Sequence, residues 1–187
     1  MAKNERSGSL ADLVQSNFPD GVKLPDCLRA LCDYLDHHGY PLSGCFEICD
    51  YGQTDVEGWF PNDVSTRRQV AVFGKGSTGS SYALWLVPTS DPDEAPVVLF
   101  GSEGEFKVLA SNAFEFCRLL GQGYDEVECD DLSKPPSHGA ETERLRDWLA
   151  DRFPIDFPAT GAAIARAARK QHPGFSNWML SWQAENL

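Results

Sequence analysis

Cys27, Cys32, Cys45 and Cys49, with His37 and His38 between the two pairs, are the residue types that hold zinc. Their spacing argues against a shared ion. Cys27 and Cys32 fall on an expected helix, about 140° apart around its axis. Cys45 and Cys49 fall on an expected strand, about 13 Å apart. Neither pair grips one ion without an intervening loop, so no metal site is expected. The six cysteines read as thiols, because no export signal is evident and an intracellular setting keeps them reduced.

The stretch GKGSTG at 74–79 follows the run QVAVF and matches the glycine spacing of a dinucleotide-binding turn. That chemistry needs a helix to follow, so that its N-terminus holds the pyrophosphate. The following SSYALWLV alternates and is rich in β-formers, which predicts a strand and gives the glycines to a hairpin connection. No cofactor is expected.

Ser77 lacks the G-x-S-x-G frame that presents a nucleophile between a strand and a helix. His37 and His38 lie where a helix ends, and His138 and His172 lie beside loop prolines or glycines; each reads as structural or solvated. YDEVECDD has neither the spacing nor the central glycine of a calcium loop. No nucleophile, base and orienting group can be assembled, so the chain is not expected to be an enzyme.

Charge is the more informative signal. The 187 residues carry a net charge of −12, all of it in residues 1–139, where 22 acidic side chains face 10 basic ones; residues 140–187 hold six of each. Such acidity repels phosphate backbones, which argues against direct nucleic-acid binding, and it steers a basic protein toward the surface. The first thirty residues interleave Lys3, Glu5, Arg6, Asp12 and Asp20 with apolar ones, unlike a signal peptide. The longest apolar runs, such as YALWLV, fall far short of the roughly 20 residues of a membrane helix. A cytoplasmic protein that does not enter membranes is expected.

The elements that position these residues follow from pattern. Residues 24–41 predict a helix with Leu28, Leu31, Cys32 and Leu35 on one face, ended by Gly39 and Pro41, and a shorter helix fits 9–17. From 44 to 110, short β-prone runs at 45–49, 56–60, 69–73, 81–87, 96–100 and 106–110 alternate with turn residues. The middle runs are apolar on both faces, so helices must cover the sheet on both sides. Asn112 and Glu115 have capping-box spacing at the start of a helix over 112–121. Residues 124–140 combine five carboxylates with a proline-rich break. Helices are expected at 141–153 and 159–171, and the tail places Phe175, Trp178, Met179 and Trp182 at helical spacing, a docking surface rather than a cofactor box.

The order of segments over 69–120 resembles the core of the SUKH superfamily, which includes yeast cell-wall regulators and bacterial toxin-immunity proteins. Phe73, Gly74, Gly76 and Gly79 look like its glycine-rich turn, and Tyr82 and Leu84 like the strand after it. Val108, Ala110, Ser111, Phe114 and Phe116 look like its strand-to-helix junction, and Leu24-Pro25 with the helix ending at Gly39 is similar to its N-terminal segment. The chain departs from that pattern in lacking an Asp in the glycine-rich turn and in adding residues 140–187.

The fold expected is α+β, a five- to six-stranded, mainly antiparallel sheet with N-terminal and C-terminal helices packed on it. Residues 1–123 form the core, 124–140 an acidic and proline-rich loop or linker, and 141–187 a helical extension on the same domain. The resemblance implies an immunity-type protein that neutralises a cognate toxin domain, such as a nuclease, through an acidic surface. The alternative it allows is a non-catalytic regulator or scaffold. Candidate contacts are Asp125, Glu126, Glu128, Asp130 and Asp131, with Asp91, Asp93, Glu94, Glu103 and Glu105 on loops between strands.

Overall fold

The structure is a computed structural model in which residues 8–42, 45–128, 130–136 and 139–186 are described. Two helices come first, α1 (Leu10–Ser16) and α2 (Asp26–His38), and Gly39 ends the second with a positive φ of 74°. A two-residue strand β1 (Glu47–Ile48) precedes helices α3 (Gly52–Trp59) and α4 (Val64–Arg67). Strands β2 (Val70–Lys75), β3 (Ser81–Trp85), β4 (Val97–Phe100) and β5 (Phe106–Ala110) follow. Helices α5 (Ala113–Leu120), α6 (Ala140–Ala150), α7 (Ala162–Gln171) and α8 (Phe175–Asn186) complete the chain.

The five strands form one antiparallel sheet in sequence order, β1-β2-β3-β4-β5, an α+β architecture with helices on both sides. Strict alternation sorts the side chains. Ala71, Phe73, Tyr82, Leu84, Val97 and Leu99 point to a core closed by α2 and α5. Val70, Val72, Ala83, Trp85, Val98 and Phe100 point to a second core closed by α3 and α8. Every residue of β3 and β4 is buried, as two-sided cover requires.

One expected strand is a helix. Residues 56–60 carry β-favouring Val56, Trp59 and Phe60, yet they belong to α3 and its C-cap. The helical spacing of Gly52, Val56 and Phe60 puts all three against the sheet, and this burial overrides local preference. Gly52 is obligatory there, because a Cβ at that position would stand 2.5 Å from the Val72 carbonyl oxygen. The expected strand at 45–49 is reduced to Glu47–Ile48, paired with Lys75 and Gly74. The Tyr40 hydroxyl accepts from the Ile48 N–H at 3.1 Å and sits 3.4 Å from its carbonyl, so a side chain occupies the sheet's outer edge.

Helices α1, α4 and α5 begin at side-chain caps, from Ser9, Asp63 and Asn112. Asn112 accepts from the Glu115 N–H at 2.9 Å, while the Glu115 carboxylate turns to Arg118, 2.9 Å away. In the tail, Phe175, Met179 and Trp182 are buried in the second core, so the docking is internal, against the sheet's own face. Trp182 Nε1 donates to Asp63 at 2.7 Å. Asp63 also caps α4, and with Ser65, Thr66 and Trp182 donating to it, its carboxyl titrates well below the usual carboxylate range.

Candidate functional site

An antiparallel meander puts alternate connections at opposite ends of the sheet, and this divides the ten candidate carboxylates. The β2–β3 turn and the β4–β5 turn share one end, joined where the Ser102 N–H donates to Ser80 Oγ at 3.2 Å. The β4–β5 turn carries Glu103 and Glu105 there, both exposed. Asp91, Asp93 and Glu94 lie in the β3–β4 connection at the other end. Two of these serve the fold. Asp91 accepts from the Asp93 N–H at 3.0 Å, and the Asp93 carboxylate bonds the Asp26 backbone at the start of α2, where Pro25 supplies no side-chain cap. These three residues cannot share one contact surface with the rest.

The acidic segment after α5 joins the first group by folding back on the glycine-rich turn. Ser77 Oγ donates to Glu126, Thr78 Oγ1 donates to Glu128 Oε1 at 2.8 Å, and Lys107 Nζ reaches the Glu128 carbonyl at 3.3 Å. Gly76 leaves room for this closure, since a Cβ there would meet Glu128 Oε1 at 2.7 Å and the carboxylate would have to move. Tyr124 and Val127 are buried in the first core, so the segment is anchored rather than loose. The Tyr124 hydroxyl lies within hydrogen-bonding reach of the Leu132 and Lys134 carbonyls and accepts from the Gly161 N–H at 2.9 Å, tying the loop to the start of α7.

Some of these carboxylates are committed internally and others face outward. Asp130 accepts from the Glu126 N–H at 3.0 Å, and Asp131 accepts from the Ser133 hydroxyl at 2.6 Å and pairs with Lys134 at 3.1 Å. Those partners, the Ser133 hydroxyl first, hold Asp131 down at about 2. Because its folded pKa lies below its unfolded value, the turn's stabilisation is complete above the ordinary carboxylate range near 4 and is lost as pH falls through about 2. The protection factor of the Ser133 amide, taken against the intrinsic exchange rate at each pH, is expected to hold at pH 4 and fall toward pH 2. Asp125 and Glu103 have exposed side chains and are available to a partner.

The nucleophile-bearing residues are placed for structure. Cys27 and Cys32 are buried in the first core and Cys49 in the second, on opposite faces of the sheet, so they cannot share an ion. Among the described residues no group of three or more His, Cys, Asp or Glu could hold a metal. Burial pushes the Cys32 thiol up to about 12 and the Cys49 thiol up to about 11. Cys45 is exposed beside Ser77 and Glu126, a geometry that invites comparison with a nucleophile. Desolvation and then the Glu126 carboxylate push its thiol up instead, which keeps it protonated.

His37 and His38 have partners within the fold, whereas the Nε2 of His172 is buried without a hydrogen-bond partner. His37 Nδ1 lies 2.7 Å from the Asp33 carbonyl, and His38 stands edge-on to Trp148 at 5.5 Å. His172 is shifted down by burial, and His138 lies outside the described residues. The GKGSTG turn leads into β3 as expected, with the Gly76 N–H donating to the Ser80 carbonyl at 2.9 Å.

No protein-family model, curated protein or solved structure matches this chain. Among the described residues, no helix is long and apolar enough to cross a membrane.

The sequence reading missed an open depression of about 560 Å³ beside β1, lined by Cys45, Glu47, Tyr51, Lys75, Gly76, Ser77 and Gly79. A signal for part of it was present in CFEIC, where Glu47 is the polar member of an alternating run whose Phe46 and Ile48 point inward. Lys75 is neutralised by Asp55 at 2.7 Å.

Proposed function

We propose that this chain is a non-catalytic binding protein that captures a basic protein partner at the acidic end of its sheet, as an immunity protein captures a cognate toxin domain. One observation carries the reading: Glu103, Glu105, Asp125, Glu126 and Glu128 come from two distant segments and meet around the β2–β3 turn. A surface with this excess of carboxylates, where Lys107 pairs with Glu105 at 3.8 Å, raises the encounter rate with a basic protein and disfavours phosphate backbones. A nuclease domain is basic where it holds its substrate, so an acidic inhibitor can cover that site without any chemistry of its own. The resemblance of residues 69–120 to the SUKH core points the same way.

The test is co-expression with a toxin-like protein encoded beside this chain. Cells are expected to survive the toxin, and the two proteins to purify as a complex. Absence of both protection and complex with every toxin-like neighbour would remove the proposal.

A further inference from the structure

Resting on that reading, we infer that the hollow beside β1 is the partner's anchor pocket, and that it receives an arginine side chain projecting from a basic protein surface. Tyr51 is 54% exposed at the start of α3 and stands on the hollow's wall. Tyrosines in that situation serve as anchors, because they bring a large rigid face at little entropic cost. Tyr40, 50% exposed, lies along the outer edge of the same strand with its hydroxyl on Ile48.

Glu47 projects outward from β1 into the hollow, and among the described residues lining it the one cation, Lys75, is already paired to Asp55. Gly76 and Gly79 contribute backbone alone to the lining, which also includes Cys45 and Ser77. A guanidinium fits these surroundings better than an ammonium, because its plane can lie on the Tyr51 ring while its N–H fork meets the Glu47 carboxylate. Glu126, bonded to Ser77 on the rim, adds negative potential without closing the opening. An anionic ligand would find no unpaired cation among the described residues of the hollow, and Glu47 and Glu126 beside it.

A fluorescein-labelled nona-arginine peptide, followed by anisotropy at about 0.15 M salt, is the probe. Tyr51→Ala and Glu47→Gln are each expected to weaken binding about fivefold to tenfold, while Glu94→Gln at the far end of the sheet changes it less than about twofold. A nona-lysine peptide is expected to bind more weakly than the arginine peptide. Equal losses for Glu47→Gln and Glu94→Gln, with none for Tyr51→Ala, would overturn the anchor pocket while leaving capture of a basic partner standing. No binding of either peptide to the unaltered protein would overturn both.

Discussion

Phe175→Ala is expected to destabilise the protein by about 3–5 kcal/mol, the usual cost of emptying a fully buried phenylalanine site. Phe175 is wholly buried where α8 meets the sheet, with ring centroids 5.3 Å from Trp85 and 5.4 Å from Phe100. Little can collapse into the space, because β3 and β4 are held from the opposite side by the other core. Against a total stability of about 5–15 kcal/mol, this is a large share. Leu180 on the same helix is 55% exposed, and Leu180→Ala should cost less than about 0.5 kcal/mol. Urea denaturation of the two variants makes the comparison. Similar midpoints for both would mean that the C-terminal helix is an appendage and that the second face of the sheet is closed in some other way.

The double substitution Glu103→Lys, Asp125→Lys is expected to slow association with the basic partner by about 10- to 1000-fold at low salt, leaving the fold intact. Both side chains are exposed and carry no capping or turn bond of the kind that occupies Asp91, Asp130 and Asp131. Glu94→Lys changes the net charge in the same direction at the other end and should have a much smaller effect. Raising the salt should erase the difference, because exposed charges are screened within a few ångströms at high ionic strength. Stopped-flow association at two salt concentrations, with melting temperatures as a folding control, separates a local effect from one of total charge. Equal slowing by Glu94→Lys would assign the effect to overall acidity.

The strand order was legible because both faces of the sheet are buried. Short apolar runs at 69–73, 81–87 and 96–100, separated by turn residues, mark consecutive strands, and the glycines between the first two fit a tight connection; the register shifts at Val72/Gly74 and Val97/Val98 leave no mark in a run that is apolar on both faces. The α5 boundary was legible through Asn112, whose side chain bonds the amide three residues on. Residues 56–60 were misread because Val, Trp and Phe favour strands locally, whereas the deciding interaction is the approach of Gly52 to Val72, some twenty residues away in the chain.

The site was legible only as a list of acidic residues. Which end of the sheet each carboxylate occupies depends on the parity of the connections, and parity depends on every strand between them. That is how Asp93 came to cap α2 while Glu126 and Glu128 came to brace the hairpin turn. Tyr51 carries no local mark of exposure at all. Its place on the wall of the hollow follows from α3 being a helix, the element that sequence pattern did not recover.

Hydrogen–deuterium exchange of the protein with and without its bound partner tests capture at the acidic end most directly. Slowed exchange concentrated in residues 47–51, 76–80, 101–105 and 124–128 is the predicted footprint. Protection confined to the 88–95 connection or to the outer faces of α6 and α7, with those four segments unchanged, would contradict it.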